Sequence, residues 1–308
     1  MNALRKATGT LAVLLCWALF ASTAHTQDAA GIEALTGTLE RVRSNGAITI
    51  GFRDASVPFS YLGPGRKPIG YSIDLCLAVV EQIKAELGTD AIAVRYLPVN
   101  PQTRIPMVVD GAVDLECGST TNNAERQKQV AFSPIFFVSG TKLMVKRGSR
   151  FRSYRDLKGH AVAVTEGTTN EAALRAVNSK EGLGIDVVPF RDHDQSFAAL
   201  AAGKVDAWAS DDALLYAQAA ESANPRGYSV LNDYLSYDPY GVMFRKNDPA
   251  FAALVRRTFE QLAESRELSR LYDQWFLHKL PSGRTLGIAI SPQLESIFES
   301  FGQPTATE

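Results

Sequence analysis

From about residue 38 the chain alternates short β-rich runs with stretches of helical period, and it does so twice. Residues 38–43 have a helical period that stops at Asn45-Gly46, a C-cap signal. Ala47-Ile-Thr-Ile-Gly-Phe52 is a compact strand, and residues 74–87 form a helix closed by Gly88. A second strand over 91–97, a short helix over 104–110 and a third strand over 113–117 follow. Downstream the pattern restarts with strands at 142–146, 161–165, 185–190, 205–209 and 241–245. A long amphipathic helix is then expected from Pro249 to about Leu277, and the polar tail from Gln293 is expected to fray. Strands separated by helices demand a parallel α/β sheet, because parallel neighbours need a crossover.

The restart predicts two lobes. Val108-Val-Asp-Gly111-Ala-Val-Asp114 has a counterpart in Leu200-Ala-Ala-Gly203-Lys-Val-Asp206: a helix end, a glycine cap and a strand opening with Val-Asp. Two similar halves face a cleft, the preferred place for a small-molecule site. The length of 308 residues agrees, at about 150 residues per domain.

The first residues carry a different message. Arg5 and Lys6 precede an apolar run from Leu11 to Phe20, and Ala21-Ser-Thr-Ala24 supplies small residues. This is the pattern of a secretory signal peptide over 1–26, with cleavage between Ala24 and Gln27. The run is too short for a bilayer, which takes about 20 residues. The whole chain holds 32 Lys+Arg against 33 Asp+Glu, and loss of Arg5 and Lys6 takes the net charge from −1 to −3. Such a balance offers no phosphate-binding surface and excludes nucleic acid as a partner. Removing Cys16 leaves Cys76 and Cys117, which can form one bridge in an oxidising compartment or remain two buried thiols. Neither has a metal-ligand spacing, and no metal or cofactor is expected.

Three polar clusters follow strands. Gly118-Ser-Thr-Thr-Asn-Asn-Ala-Glu-Arg126 offers hydroxyls, free backbone N–H groups and a bidentate cation, all suited to an anion, although Ser and Thr also serve as plain helix caps. Thr165-Glu-Gly-Thr-Thr169 has the same character in the other half and lacks the Walker pattern. Asp192-His-Asp194 with Asp211-Asp212 could be an acid/base pair, a metal site, acceptors for an ammonium, or ordinary helix starts. Ser119 lacks the Gly-x-Ser-x-Gly elbow, so nucleophilic catalysis has no specific support.

These residues together resemble the periplasmic amino-acid-binding proteins of ABC importers, bacterial solute-binding protein family 3, and within them the glutamate/aspartate-binding branch. The matching stretches include Ser56-Val-Pro-Phe-Ser-Tyr61, Gly70-Tyr-Ser-Ile-Asp74, Asn100-Pro-Gln-Thr-Arg-Ile-Pro106, Asp114-Leu-Glu-Cys-Gly-Ser-Thr-Thr-Asn-Asn123 and Glu125-Arg-Gln-Lys128. In the second half they are Asp156-Leu-Lys-Gly159, Gly167-Thr-Thr169, Asp192-His193, Asp211-Asp-Ala-Leu-Leu215 and Tyr240-Gly241. The resemblance implies a type II two-lobe fold, each lobe a mixed, mainly parallel sheet flanked by helices, with two hinge strands. Lobe 1 would comprise 27–142 and 241–308, and lobe 2 would comprise 143–240.

It also implies roles. Arg126, with Thr121 and Thr169, would take a ligand α-carboxylate, and Asp211 its ammonium. Arg53, Arg104 and His193 would face a side-chain carboxylate, with Ser119 nearby; a hydroxyl residue is expected where Pro101 stands. Three Arg and one His against one Asp would suit a net-anionic ligand, since a buried unpaired ion costs several kcal/mol. The implied protein is a periplasmic monomer that delivers L-glutamate or L-aspartate to a membrane ABC permease. The alternative is an enzyme on the same scaffold, dehydratase- or hydrolase-like, using His193 and Asp211.

Overall fold

The protein is described by a computed structural model over residues 35–301. The predicted signal peptide lies outside the described residues. Two five-stranded sheets carry the chain. In the first the strand order is Ala93–Pro98, Ala47–Phe52, Leu115–Glu116, Met243–Arg245 and Val130–Phe132. In the second it is Asp186–Phe190, Ala161–Thr165, Ala207–Asp211, Thr141–Lys146 and Tyr228–Val230. Three strands of each sheet pair in parallel, as the helical crossovers require.

Each sheet also contains one strand running against the rest, Met243–Arg245 in the first and Thr141–Lys146 in the second. Both sit just after a crossing between the sheets. The outgoing crossing strand Phe137–Ser139 pairs antiparallel with the returning strand Asp238–Tyr240, with Asp238 opposite Ser139 and Tyr240 opposite Phe137. The chain therefore enters each sheet from the same two-stranded ribbon, and entry from that end forces the opposite direction.

Burial alternates where both faces of a sheet are covered. In the second sheet Val162, Val164, Leu143 and Val145 pack on one side, and Ala163, Met144 and Trp208 on the other. The repeated unit is real: Gly111 (φ 76°) and Gly203 (φ 72°) both end a helix in the left-handed region, where a side chain would be strained. The larger core lies under the first sheet. Its aromatic centre comprises Phe59, Tyr71, Phe136, Phe137, Tyr240 and Phe276, with Phe59 edge-on to Phe137 at 4.8 Å and Phe137 stacked on Phe276 at 5.0 Å. The crossing strands are thus anchored in packed rings on the side of the first sheet. Cys76, on the helix Tyr71–Leu87, is bonded to Cys117 at the end of the strand Leu115–Glu116. This closes the question that two lone cysteines left open.

Two expectations fail. The long helix from Pro249 to Leu277 is broken: Pro249–Glu264 ends at Ser265, Arg266 takes φ 60°, and Glu267–Tyr272 starts a new direction. The break turns Leu268, Leu271 and Tyr272 into the core. The tail does not fray at Gln293 either. Pro292–Ser300 is a helix capped by Ser291, and Leu294 and Phe298 are buried against the main core. Among the described residues no helix is long and apolar enough to cross a membrane.

Candidate functional site

Seven of the eight residues singled out in sequence lie in the segments that follow strand carboxyl ends, or in the helices those segments open, and the eighth, Asp211, is the last residue of a strand. Arg53 follows Ala47–Phe52, Arg104 opens the helix Arg104–Val109, and Ser119 and Thr121 follow Leu115–Glu116. Arg126 sits in the one-turn helix Ala124–Gln127, whose N-cap Asn123 accepts from the Arg126 N–H at 2.9 Å. From the second sheet, Thr169 and His193 open the helices Thr169–Glu181 and His193–Ala201, and Asp211 ends Ala207–Asp211. Ligands of open α/β sheets bind beyond this edge.

The two sets meet beside the crossing strands. Asn122 N donates to Pro239 O at 2.7 Å and Gly241 N to Thr120 O at 3.1 Å, which ties the hydroxyl-rich loop to the returning strand. Across the cleft, the hydroxyls of Thr121 and Thr169 are 3.2 Å apart. Thr121 Oγ1 also donates to Asp238 Oδ1 at 3.1 Å, so Thr169 must be the donor in the threonine pair. At the cleft mouth, Gln102 Nε2 donates to the Glu166 carbonyl at 2.9 Å.

Three guanidiniums are buried at the site. Arg104 Nη1 donates to Thr120 Oγ1 at 2.5 Å, and Arg126 Nη1 to the Thr121 carbonyl at 2.8 Å. Burial pushes the Arg53 pKa down to about 10, and the charge of Arg104 adds to the effect. Burial, with Arg104 again, takes Arg126 down to about 9. The direction marks a place where positive charge is buried and crowded and an anion would be stabilised.

Asp211 is pushed the other way, up to about 7, by burial and by Asp238, against hydrogen bonds that favour its ionised form. Those bonds come from Tyr240 Oη at 2.5 Å and Asn170 Nδ2 at 2.9 Å. His193 is held well below its ordinary value by burial and by Arg53 and Arg104, and its Nδ1 lies 2.8 Å from Thr165 Oγ1. It is a neutral imidazole, which corrects the count of positive charges made from sequence.

The acids need correcting too. Against three arginines the fold buries Glu116 (0% exposed), Asp211 (3%) and Asp238 (1%), where sequence suggested one acid. Glu116 accepts from Thr120 Oγ1 at 2.6 Å. Both additional acids were visible as residues, but nothing in the linear pattern says that a strand carboxylate or a crossing-strand aspartate turns inward. The Asp211-Asp212 doublet is not a dyad: Asp212 accepts from Ser139 Oγ at 2.6 Å and Tyr234 Oη at 2.5 Å. Asp192 is the N-cap of its helix. Among the described residues, no group of three or more His, Cys, Asp or Glu is arranged to hold a metal ion.

The chain matches the family model of bacterial extracellular solute-binding proteins, family 3, over residues 48–278. It is 45% identical to the L-glutamate/L-aspartate-binding protein of Pseudomonas aeruginosa over 87% of this chain and 89% of that one. It is 39% identical to the glutamate/aspartate import solute-binding protein of Salmonella typhimurium over 96% of this chain and 97% of that one. Among solved structures, an ancestral arginine-binding protein bound to arginine superposes with TM-score 0.68 at 28% identity, covering 75% of this chain and 98% of that one. An ancestral amino acid-binding protein described as a precursor of cyclohexadienyl dehydratase gives TM-score 0.65 at 28% identity, covering 78% and 99%.

Proposed function

Since the chain belongs to the bacterial extracellular solute-binding proteins of family 3, we propose that it captures L-glutamate or L-aspartate in the periplasm and delivers it unchanged to a membrane ABC permease. The observation that carries this is that Arg53, Arg104 and Arg126 are all buried, with the charge of Arg104 acting on both of the others. Relatives at 45% and 39% identity bear glutamate/aspartate-binding names, which supports the same ligand here.

In this reading Arg126 takes the α-carboxylate with the Thr121 and Thr169 hydroxyls, and Asp211 accepts from the ammonium. Arg53, Arg104, Ser119 and neutral His193 receive the side-chain carboxylate. A ligand held by both sheets stabilises the closed arrangement over the open one, which is what drives closure. Residues 1–26 serve export, 27–142 with 241–308 form one lobe and 143–240 the other, and the protein works as a monomer.

No reaction is invoked. His193 is engaged by Thr165, whereas Asp211 is held by Tyr240 and Asn170, so the two groups an enzyme would pair serve separate networks. Calorimetry with each of the twenty amino acids tests the assignment. Glutamate or aspartate is expected to bind and to be recovered with unchanged mass, and Arg126→Ala is expected to abolish the heat. Micromolar or tighter binding retained in that variant would sink the assignment.

A further inference from the structure

We infer that Glu116 sets the net charge of the pocket formed by Arg53 and Arg104, and thereby sets how strongly an acidic side chain is preferred over a neutral one. The inference rests on the proposed function, in which those two arginines receive the ligand's side chain.

Glu116 lies on the strand Leu115–Glu116, and its neighbours Leu115 and Cys117 point into the main core. Alternation along a strand places its carboxylate on the opposite face. There it is fully buried, and Thr120 is its partner: Thr120 Oγ1 donates at 2.6 Å and accepts from Arg104 Nη1 at 2.5 Å. The hydroxyl has one proton, and it is committed to the acceptor-only carboxylate, so the Arg104 fork is fixed in direction. The other oxygen, Oε1, has no hydrogen-bond partner among the described residues. Gly118 is what leaves it room, since a Cβ there would stand 2.5 Å from Glu116 Oε1 and 2.9 Å from Arg53 Cγ.

Among the described residues Glu116 forms no direct ion pair, yet its charge acts on Arg53, Arg104 and Arg126 alike. It works as a fixed counter-charge. Two guanidiniums and one carboxylate leave a pocket of net +1, which a single side-chain carboxylate neutralises and an amide does not. Taking away the Glu116 charge would leave +2, and would draw an anionic side chain more strongly while leaving a neutral one little changed.

Glutamate and glutamine share their α-groups, so the ratio of their dissociation constants isolates this pocket. Calorimetry on the full chain is expected to show Glu116→Gln raising the preference for glutamate about tenfold. The Gln side chain is isosteric and still accepts from Thr120. Glu116→Asp keeps the charge and is expected to leave the ratio within about twofold. A general loss of stability lowers both affinities and cancels in the ratio, whereas a charge effect does not. An unchanged ratio in Glu116→Gln, or a shift in Glu116→Asp as large as in Gln, overturns the inference. Should Glu116→Gln not fold, a shifted ratio in Glu116→Asp still overturns it. An unmodified protein that binds no glutamate overturns the proposed function as well, which keeps the two failures apart.

Discussion

At the scale of single residues, Asp211 is the group most exposed to pH. Its carboxyl titrates near 3.8 in an unfolded chain and is held at about 7 in the fold. Between those values the folded state keeps a proton that the unfolded state has lost, so this group makes the ligand-free fold less stable as pH rises through that window. A ligand ammonium reverses the preference, because it needs the ionised carboxylate. Below about pH 7 binding must therefore expel the proton. The dissociation constant is expected to weaken about tenfold between pH 8 and pH 6. Calorimetry in two buffers of different ionisation heat should show release of close to one proton at pH 6; a constant affinity with no proton release would refute the role of Asp211. Burial and the charges of Arg53 and Arg104 hold His193 well below its ordinary value, so the pH dependence is assigned to Asp211. Ser119, Thr121, Arg126, Thr169, His193 and Asp211 stood out as polar clusters after strands, a pattern that plain helix caps share, whereas Arg53 and Arg104 came into view only through the family resemblance. Glu116 and Asp238 were not legible, because a carboxylate inside a β-run looks the same in sequence whether it faces solvent or the cleft.

Elements were legible where periodicity and a terminator agreed. Ala47–Phe52 and Ala161–Thr165 appear at the predicted residues because each is a short β-rich run bounded by turn-formers. The three-residue and two-residue strands of the small sheet 55–69 were not seen, since so short a run carries no period. The break at Arg266 was invisible for a different reason. No glycine or proline marks it, and a left-handed arginine is chosen by the burial of Leu268 and Leu271 rather than by local preference. The tail was misjudged because its composition is polar, while its two buried positions, Leu294 and Phe298, are spaced one helical turn apart. That spacing is the signal that was available. Leu294 is 1% exposed in the main cluster, so Leu294→Ala is expected to destabilise the protein by about 2–5 kcal/mol. Thermal or urea unfolding of the ligand-free protein measures it, and a loss below about 0.5 kcal/mol, typical of a surface site, would mean the tail helix is not docked.

On the scale of the whole molecule, the two sheets are joined by one ribbon, packed in aromatic rings at the first sheet, and by polar contacts across the cleft. The aromatic centre around Phe59 and Phe137 fixes the ribbon to the first sheet. Thr121 with Thr169, and Gln102 with Glu166, span the cleft. The threonine pair lies among the groups assigned to the ligand, but Gln102 lies at the mouth beside Gly167, where even a Cβ would stand at ordinary van der Waals distance, 3.6 Å, from Gln102 Cγ and Pro101 Cβ. Gln102 is exposed, and an exposed hydrogen bond of this kind contributes about 0.5–1.5 kcal/mol. Its contribution belongs to the closed state alone, since opening separates the partners. Gln102→Ala should therefore loosen closure without changing what the site recognises. The expected outcome is an affinity for glutamate lowered by about two- to tenfold, carried mainly by faster dissociation. The preference for glutamate over glutamine should stay at the unmodified value, which separates this variant from Glu116→Gln. Stopped-flow release measures the first quantity and paired calorimetry the second. A dissociation rate equal to that of the unmodified protein would mean that the Gln102–Glu166 contact takes no part in holding the cleft shut.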